Sequence, residues 1–244
     1  MRALLATCSC VSPAASRALR SSLPSTDGTF NNADWTITPY SELSQPPSRP
    51  TGTGGSETGT QVASGGNLGS YRRIDFTVNA APASPFGVLN TFYGLNLKVI
   101  AIYSPVVSGA IQQIDYAEDG EMLNGFGTGQ ATGLALLQNG IYYIRTAAYV
   151  NQSAWTPNTL TGLRSSDWVQ LGGSGHPDFS ATGAPLTFGF VRDNATGPNG
   201  VAYSIIAAID NWSVNVVQVP EPTCLSFLAL TGMAVAARYR RQSR

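Results

Sequence analysis

Leu134-Ala135-Leu136-Leu137-Gln138-Asn139-Gly140-Ile141-Tyr142-Tyr143-Ile144-Arg145-Thr146 sets two apolar, strand-like runs on either side of an Asn-Gly pair. Asn and Gly tolerate the positive φ that a two-residue type I′ turn demands, and that turn matches the twist of paired antiparallel strands. The stretch therefore predicts a β-hairpin. Working outward, Tyr71-Arg72-Arg73-Ile74-Asp75-Phe76-Thr77-Val78 alternates with period two, with Ile74, Phe76 and Val78 on one face and Arg73, Asp75 and Thr77 on the other. Further strands are expected at Trp35 to Ile37, Leu97 to Tyr103, Ile111 to Tyr116, Trp168 to Leu171, Leu186 to Val191, Tyr203 to Ile209 and Trp212 to Val217. Short strands divided by Gly, Pro and Asn point to an all-β, single antiparallel β-sandwich.

Two stretches break this pattern. Residues 41–66 are dominated by Pro, Gly, Ser and Thr, a composition that buries too little surface to offset ordering entropy, so a long disordered loop is expected there. Cys8, Cys10 and Cys224 are the only cysteines. The span between Cys10 and Cys224 therefore folds by apolar burial alone, which about 200 residues can supply as one domain.

Half of the 14 basic residues (Arg2, Arg17, Arg20, Arg238, Arg240, Arg241 and Arg244) lie outside the span from Asp27 to Glu221 that holds all 14 acidic ones. The body is thus net negative, which speaks against nucleic-acid binding, since neutralising phosphates drives that association. Arg2 with the apolar run after it fits a signal segment over residues 1–21. The body is expected at 22–218. From 219 onward, Val219-Pro220-Glu221-Pro222 leads into an apolar run from Thr223 to Ala237 and then the arginine cluster. The two prolines keep the motif extended, the run is short for a bilayer of about 30 Å, and the arginines hold its end on the cytoplasmic side.

This order of Pro-Glu-Pro, short hydrophobic helix and basic cluster resembles the PEP-CTERM sorting signal of bacterial exosortase substrates. The resemblance covers residues 219–244 alone. It implies a processing enzyme of exosortase type as partner, transient anchoring in the inner membrane by a C-terminal helix, and delivery to the cell envelope, cell surface or beyond. Val219, Pro220, Glu221, Pro222, Arg238, Arg240 and Arg241 are the residues that would carry the signal. Ile114-Asp115-Tyr116, Gln138 to Tyr143 and Ile209-Asp210-Asn211-Trp212 in turn resemble jelly-roll ectodomains and carbohydrate-binding modules.

Catalysis finds little support. His176 is the only histidine, and Gly172-Gly173-Ser174-Gly175-His176 lacks the closing glycine of a nucleophile elbow. Glu118, Asp119 and Glu121 read as one acidic turn, whose carboxylates would diverge into solvent rather than flank a glycosidic bond. Ala117 and Phe126 stand at two ligand positions of an EF-hand, so that loop is excluded. Calcium near Asp119 or Asp210 stays open, and no cofactor or resident metal is expected. Trp155, in the loop Ser153-Ala154-Trp155-Thr156-Pro157, is the candidate sugar-stacking residue, while Trp35, Trp168 and Trp212 are expected in the core. The leading expectation is a non-enzymatic surface protein sorted by its tail, with polysaccharide as a further partner. The alternative is a carbohydrate-binding module with a specific glycan ligand, favoured if one sheet carries an exposed row of aromatics.

Overall fold

A computed structural model describes residues 24–44, 54–83, 87–125 and 129–220. The hairpin forms as expected. β7 (Gln130–Gln138) turns through Asn139 (φ 53°) and Gly140 (φ 76°) into β8 (Ile141–Val150), with Gln138 paired to Ile141. The other strands are β1 (Ser25–Asp27), β2 (Trp35–Leu43), β3 (Gly55–Gly66), β4 (Gly69–Val78), β5 (Asn90–Tyr103) and β6 (Ile111–Asn124). β9 (Thr156–Leu163), β10 (Val169–Gln170), β11 (Leu186–Thr196) and β12 (Tyr203–Gln218) complete the set. A one-turn helix, α1 (Pro105–Ser108), links β5 to β6.

All pairings are antiparallel, and they form two six-stranded sheets. Sheet one runs β3-β4-β12-β6-β9, with β1 also beside β12; sheet two runs β10-β8-β7-β11-β5-β2. The alternating apolar residues of each meet between them: Phe76, Ile209 and Trp212 from sheet one face Leu134, Phe188 and Phe190 from sheet two. Trp212 is fully buried and packs edge-on against Trp35, ring centroids 5.2 Å apart. Truncating such an aromatic costs about 3–5 kcal/mol. β12 unites the two strands expected on either side of Asn211. That residue takes a left-handed φ of 49°, and the register against β6 shifts between Asp210 and Ser213, so one strand bends without ending.

Two expectations need correction. Residues 41–66 do not form one loop: β2 runs to Leu43, and Gly55–Gly66 is a strand paired with β4. Its low apolar content has a steric cause. A Cβ on Gly59 would meet the Arg72 guanidinium at 2.5 Å, and one on Gly55 would meet Phe92 at 2.6 Å, so small residues make room for large side chains of the neighbouring strands. Glu118, Asp119 and Glu121 do not crowd onto a turn either; they lie within β6 and alternate across it. Glu118 points into the sandwich, where Arg192 lies 3.1 Å away and Tyr116 and Thr132 donate to its carboxylate.

A second ion pair, Asp27 with Lys98, is buried beside Trp35, whose indole N–H donates to Asp27 at 3.0 Å. Burial pushes the Asp27 carboxyl up, but hydrogen bonds from Lys98, Phe30 and Thr29 outweigh it and hold the group below its ordinary value. The Lys98 ammonium also lies 5.3 Å from the centre of the Trp35 ring, a cation–π distance.

Candidate functional site: the outer face of sheet two

Sheet two buries apolar side chains on both faces. Opposite the sandwich core, Leu95, Leu97, Ala135, Ile144, Leu171 and Val191 form a second cluster, with Tyr40, Tyr93, Leu137 and Tyr142 packed half-buried against it. The sheet curls around this cluster. Three strands separate β2 from β8, a span of roughly 19 Å in a flat sheet. Yet the Tyr142 hydroxyl donates to Thr38 Oγ1 at 3.1 Å, and the Gly172 N–H donates to Glu42 at 2.7 Å. Gly172 itself adopts φ 71°, and a Cβ there would meet the Tyr40 hydroxyl at 2.5 Å. The face is therefore concave, with its floor filled by aliphatic side chains and the segment after β10 closing one side.

Near the end where β2 and β11 finish and β5 and β7 begin, the register lines up a single row across five strands. Tyr40 pairs with Tyr93, Tyr93 with Asp193, Asp193 with Ala131, and Ala131 with Tyr149. Directly paired residues share a face. The row thus presents three phenol rings and one carboxylate on the concave side, with Ala131 leaving a gap between Asp193 and Tyr149. Tyr40 and Tyr93 tilt against each other with centroids 6.2 Å apart, and Tyr149 is 61% exposed. Glu42, two residues along β2 from Tyr40, faces the same side.

The electrostatics mark this row. Burial pushes the Asp193 carboxyl up to about 6 against the pull of Arg192, and its Oδ2 is shielded from solvent without a hydrogen-bond partner. Burial and the Glu42 carboxylate push the Tyr40 phenol up to about 12. Tyr93 is raised further by burial, then by Glu42, Asp193 and Tyr40. A half-buried carboxylate flanked by half-exposed rings is an arrangement that can stack a sugar ring and take a hydrogen bond from it.

The residues singled out from sequence fall elsewhere. Trp155 precedes β9, where its indole N–H donates to the Gly65 carbonyl at 3.4 Å and its ring meets Tyr71 edge-on at 5.7 Å. His176 lies in an exposed loop with Nδ1 3.2 Å from the Trp168 carbonyl oxygen. Asp210 is fully buried opposite Asp119, whose Oδ2 accepts from Asn67 and Asn211. Among the described residues, no group of three or more His, Cys, Asp or Glu side chains could hold a metal ion. Val219 and Pro220 end the described chain, Val219 donating to the Ala110 carbonyl at 2.9 Å. The signal segment 1–21, Phe126, and Glu221, Pro222, Arg238, Arg240 and Arg241 of the tail lie outside the described residues. Among the described residues no helix is long and apolar enough to cross a membrane.

No family model and no curated protein matches the sequence. Solved structures do. The C-terminal family 22 carbohydrate-binding module of Clostridium thermocellum Xyn10B is similar at 10% identity and a TM-score of 0.37, over 79% of this chain and 92% of that one. The TmCBM61 module in complex with β-1,4-galactotriose matches at 6% identity and 0.30, over 68% of this chain and 90% of that one. SGBP-B from a xyloglucan utilisation locus in Bacteroides uniformis matches at 14% and 0.34, over 67% of this chain and 47% of that one. The leading expectation, a non-enzymatic surface protein sorted by its tail, is corrected by these matches, which fall on carbohydrate-binding modules and agree better with the alternative reading. Likeness this distant lends no ligand to this chain, so the case for one rests on the tyrosine row.

Proposed function

We propose that this chain is a non-catalytic carbohydrate-binding module, acting outside the cell or at its surface, whose glycan lies along the concave face of sheet two. The observation that carries the reading is the in-register row of Tyr40, Tyr93, Asp193 and Tyr149. Aromatic rings left half-exposed on a curved sheet bury the apolar faces of pyranose rings, and the half-buried Asp193 carboxylate offers an acceptor to a hydroxyl or amine. The inward carboxylates do not compete for this role, since Glu118 is already committed to Arg192, Tyr116 and Thr132.

Affinity electrophoresis of the full chain through gels containing soluble polysaccharides tests the proposal. Retardation by at least one polymer, abolished in Tyr93→Ala and weakened in Tyr149→Ala, is expected. Retardation unchanged in both variants would refute it.

A further inference from the structure

The charge of the tyrosine row narrows the ligand. On the strands that form it, the cations are Lys98, Arg192 and Arg145. Lys98 turns inward to Asp27, and Arg192 turns inward to Glu118. Arg145 is paired with the inward-facing Leu134 and reaches the Asp167 carbonyl beyond the strand edge. The concave side of these strands therefore carries Glu42 and Asp193 without a basic side chain between them. Glu42 is partly satisfied by Gly172, but the shielded Oδ2 of Asp193 has no donor. A half-buried carboxylate with one unpartnered oxygen, offset only by the inward-turned Arg192, is held at a cost, and the ligand that relieves it best brings a donor and a positive charge. Phenol rings around it add an attraction of their own for a cation seated over their faces.

Resting on the glycan-binding reading above, we infer that the concave face selects glycans bearing free amines, with an ammonium seated at Asp193 between Tyr93 and Tyr149. A polymer rich in uronic acids would meet two like charges and is excluded by the same groups.

Isothermal titration of the full chain with a β-1,4-linked glucosamine oligomer and with its N-acetylated counterpart separates the two ideas, because the backbone and ring faces are shared and only the charge differs. The amine-bearing oligomer is expected to bind at least about tenfold tighter, and that preference is expected to shrink as salt rises. Asp193→Asn keeps the side-chain shape and should erase the preference, so that the two oligomers bind alike. Equal or tighter binding of the acetylated oligomer, or a preference untouched by salt and by Asp193→Asn, would overturn the inference and leave the glycan-binding reading standing. Failure of both oligomers and of every neutral polysaccharide to bind would overturn both together.

Discussion

Glu57→Gln should make the protein more stable at neutral pH, although it removes a charge flanked by two arginines. The carboxylate of Glu57 reaches from β3 under sheet two, where Asn96 donates to Oε1 while Oε2 is shielded and unpartnered. Burial raises its pKa from 4.5 to about 7, against the lowering pull of Asn96, Arg192 and Arg72. Because the folded state holds this proton more tightly than the unfolded chain, stability is greatest below about pH 4.5 for this group and falls as pH rises toward 7. At about 1.4 kcal/mol per pH unit, the loss over that window is on the order of 3 kcal/mol. Gln keeps the shape and the acceptor for Asn96 but cannot ionise. Urea unfolding of wild type and variant at pH 5 and pH 8 would show it: the variant is expected to lead by about 3 kcal/mol at pH 8 and by much less at pH 5. A variant less stable than wild type at pH 8 would mean that Arg72 and Arg192 need the Glu57 charge more than burial opposes it.

Three further outcomes follow from the packing. Gly94→Ala would put a Cβ 1.4 Å from Glu57 Oε2, so thermal unfolding should show a loss of at least about 2 kcal/mol that Glu57→Ala partly restores. Lys98→Met strands the Asp27 carboxylate beside Trp35 and should cost about 3–5 kcal/mol in chemical denaturation, whereas the double change to Asp27→Asn with Lys98→Met should recover part of it. Trp155→Ala should leave glycan affinity unchanged in the electrophoresis assay, because its ring packs on Tyr71 at the rim of sheet one and away from the tyrosine row.

Much of the sandwich was legible because alternation and turn chemistry are local. The Asn139-Gly140 hairpin, the inward set of Ile74, Phe76 and Val78, and the buried Trp35, Trp168 and Trp212 all follow from period two and residue size. β3 was not legible, since its glycines are explained by Arg72 and Phe92 on other strands, which a single window cannot see. The acidic stretch of β6 misled for a similar reason: a turn and a strand differ there only through Arg192, 74 positions away from Glu118, which makes an inward carboxylate tolerable. The tyrosine row of the candidate site was the hardest to foresee. Tyr40, Tyr93, Asp193 and Tyr149 are scattered along the chain and meet only through the register of five strands. One signal was available: Ala135, Leu137, Ile144 and Val191 are apolar on the face opposite the core, so sheet two reads as continuous rather than alternating, and such a strand has something packed on both sides.

Where a glycan sits is the question on which the account depends. Two-dimensional NMR of the full chain with tyrosine and tryptophan rings labelled, titrated with the polysaccharide that retards it most, answers it directly. The Tyr40, Tyr93 and Tyr149 ring signals are expected to shift together with one saturating curve while the Tyr71 and Trp155 signals stay in place. Shifts confined to Tyr71 and Trp155, with the row unmoved, would contradict it.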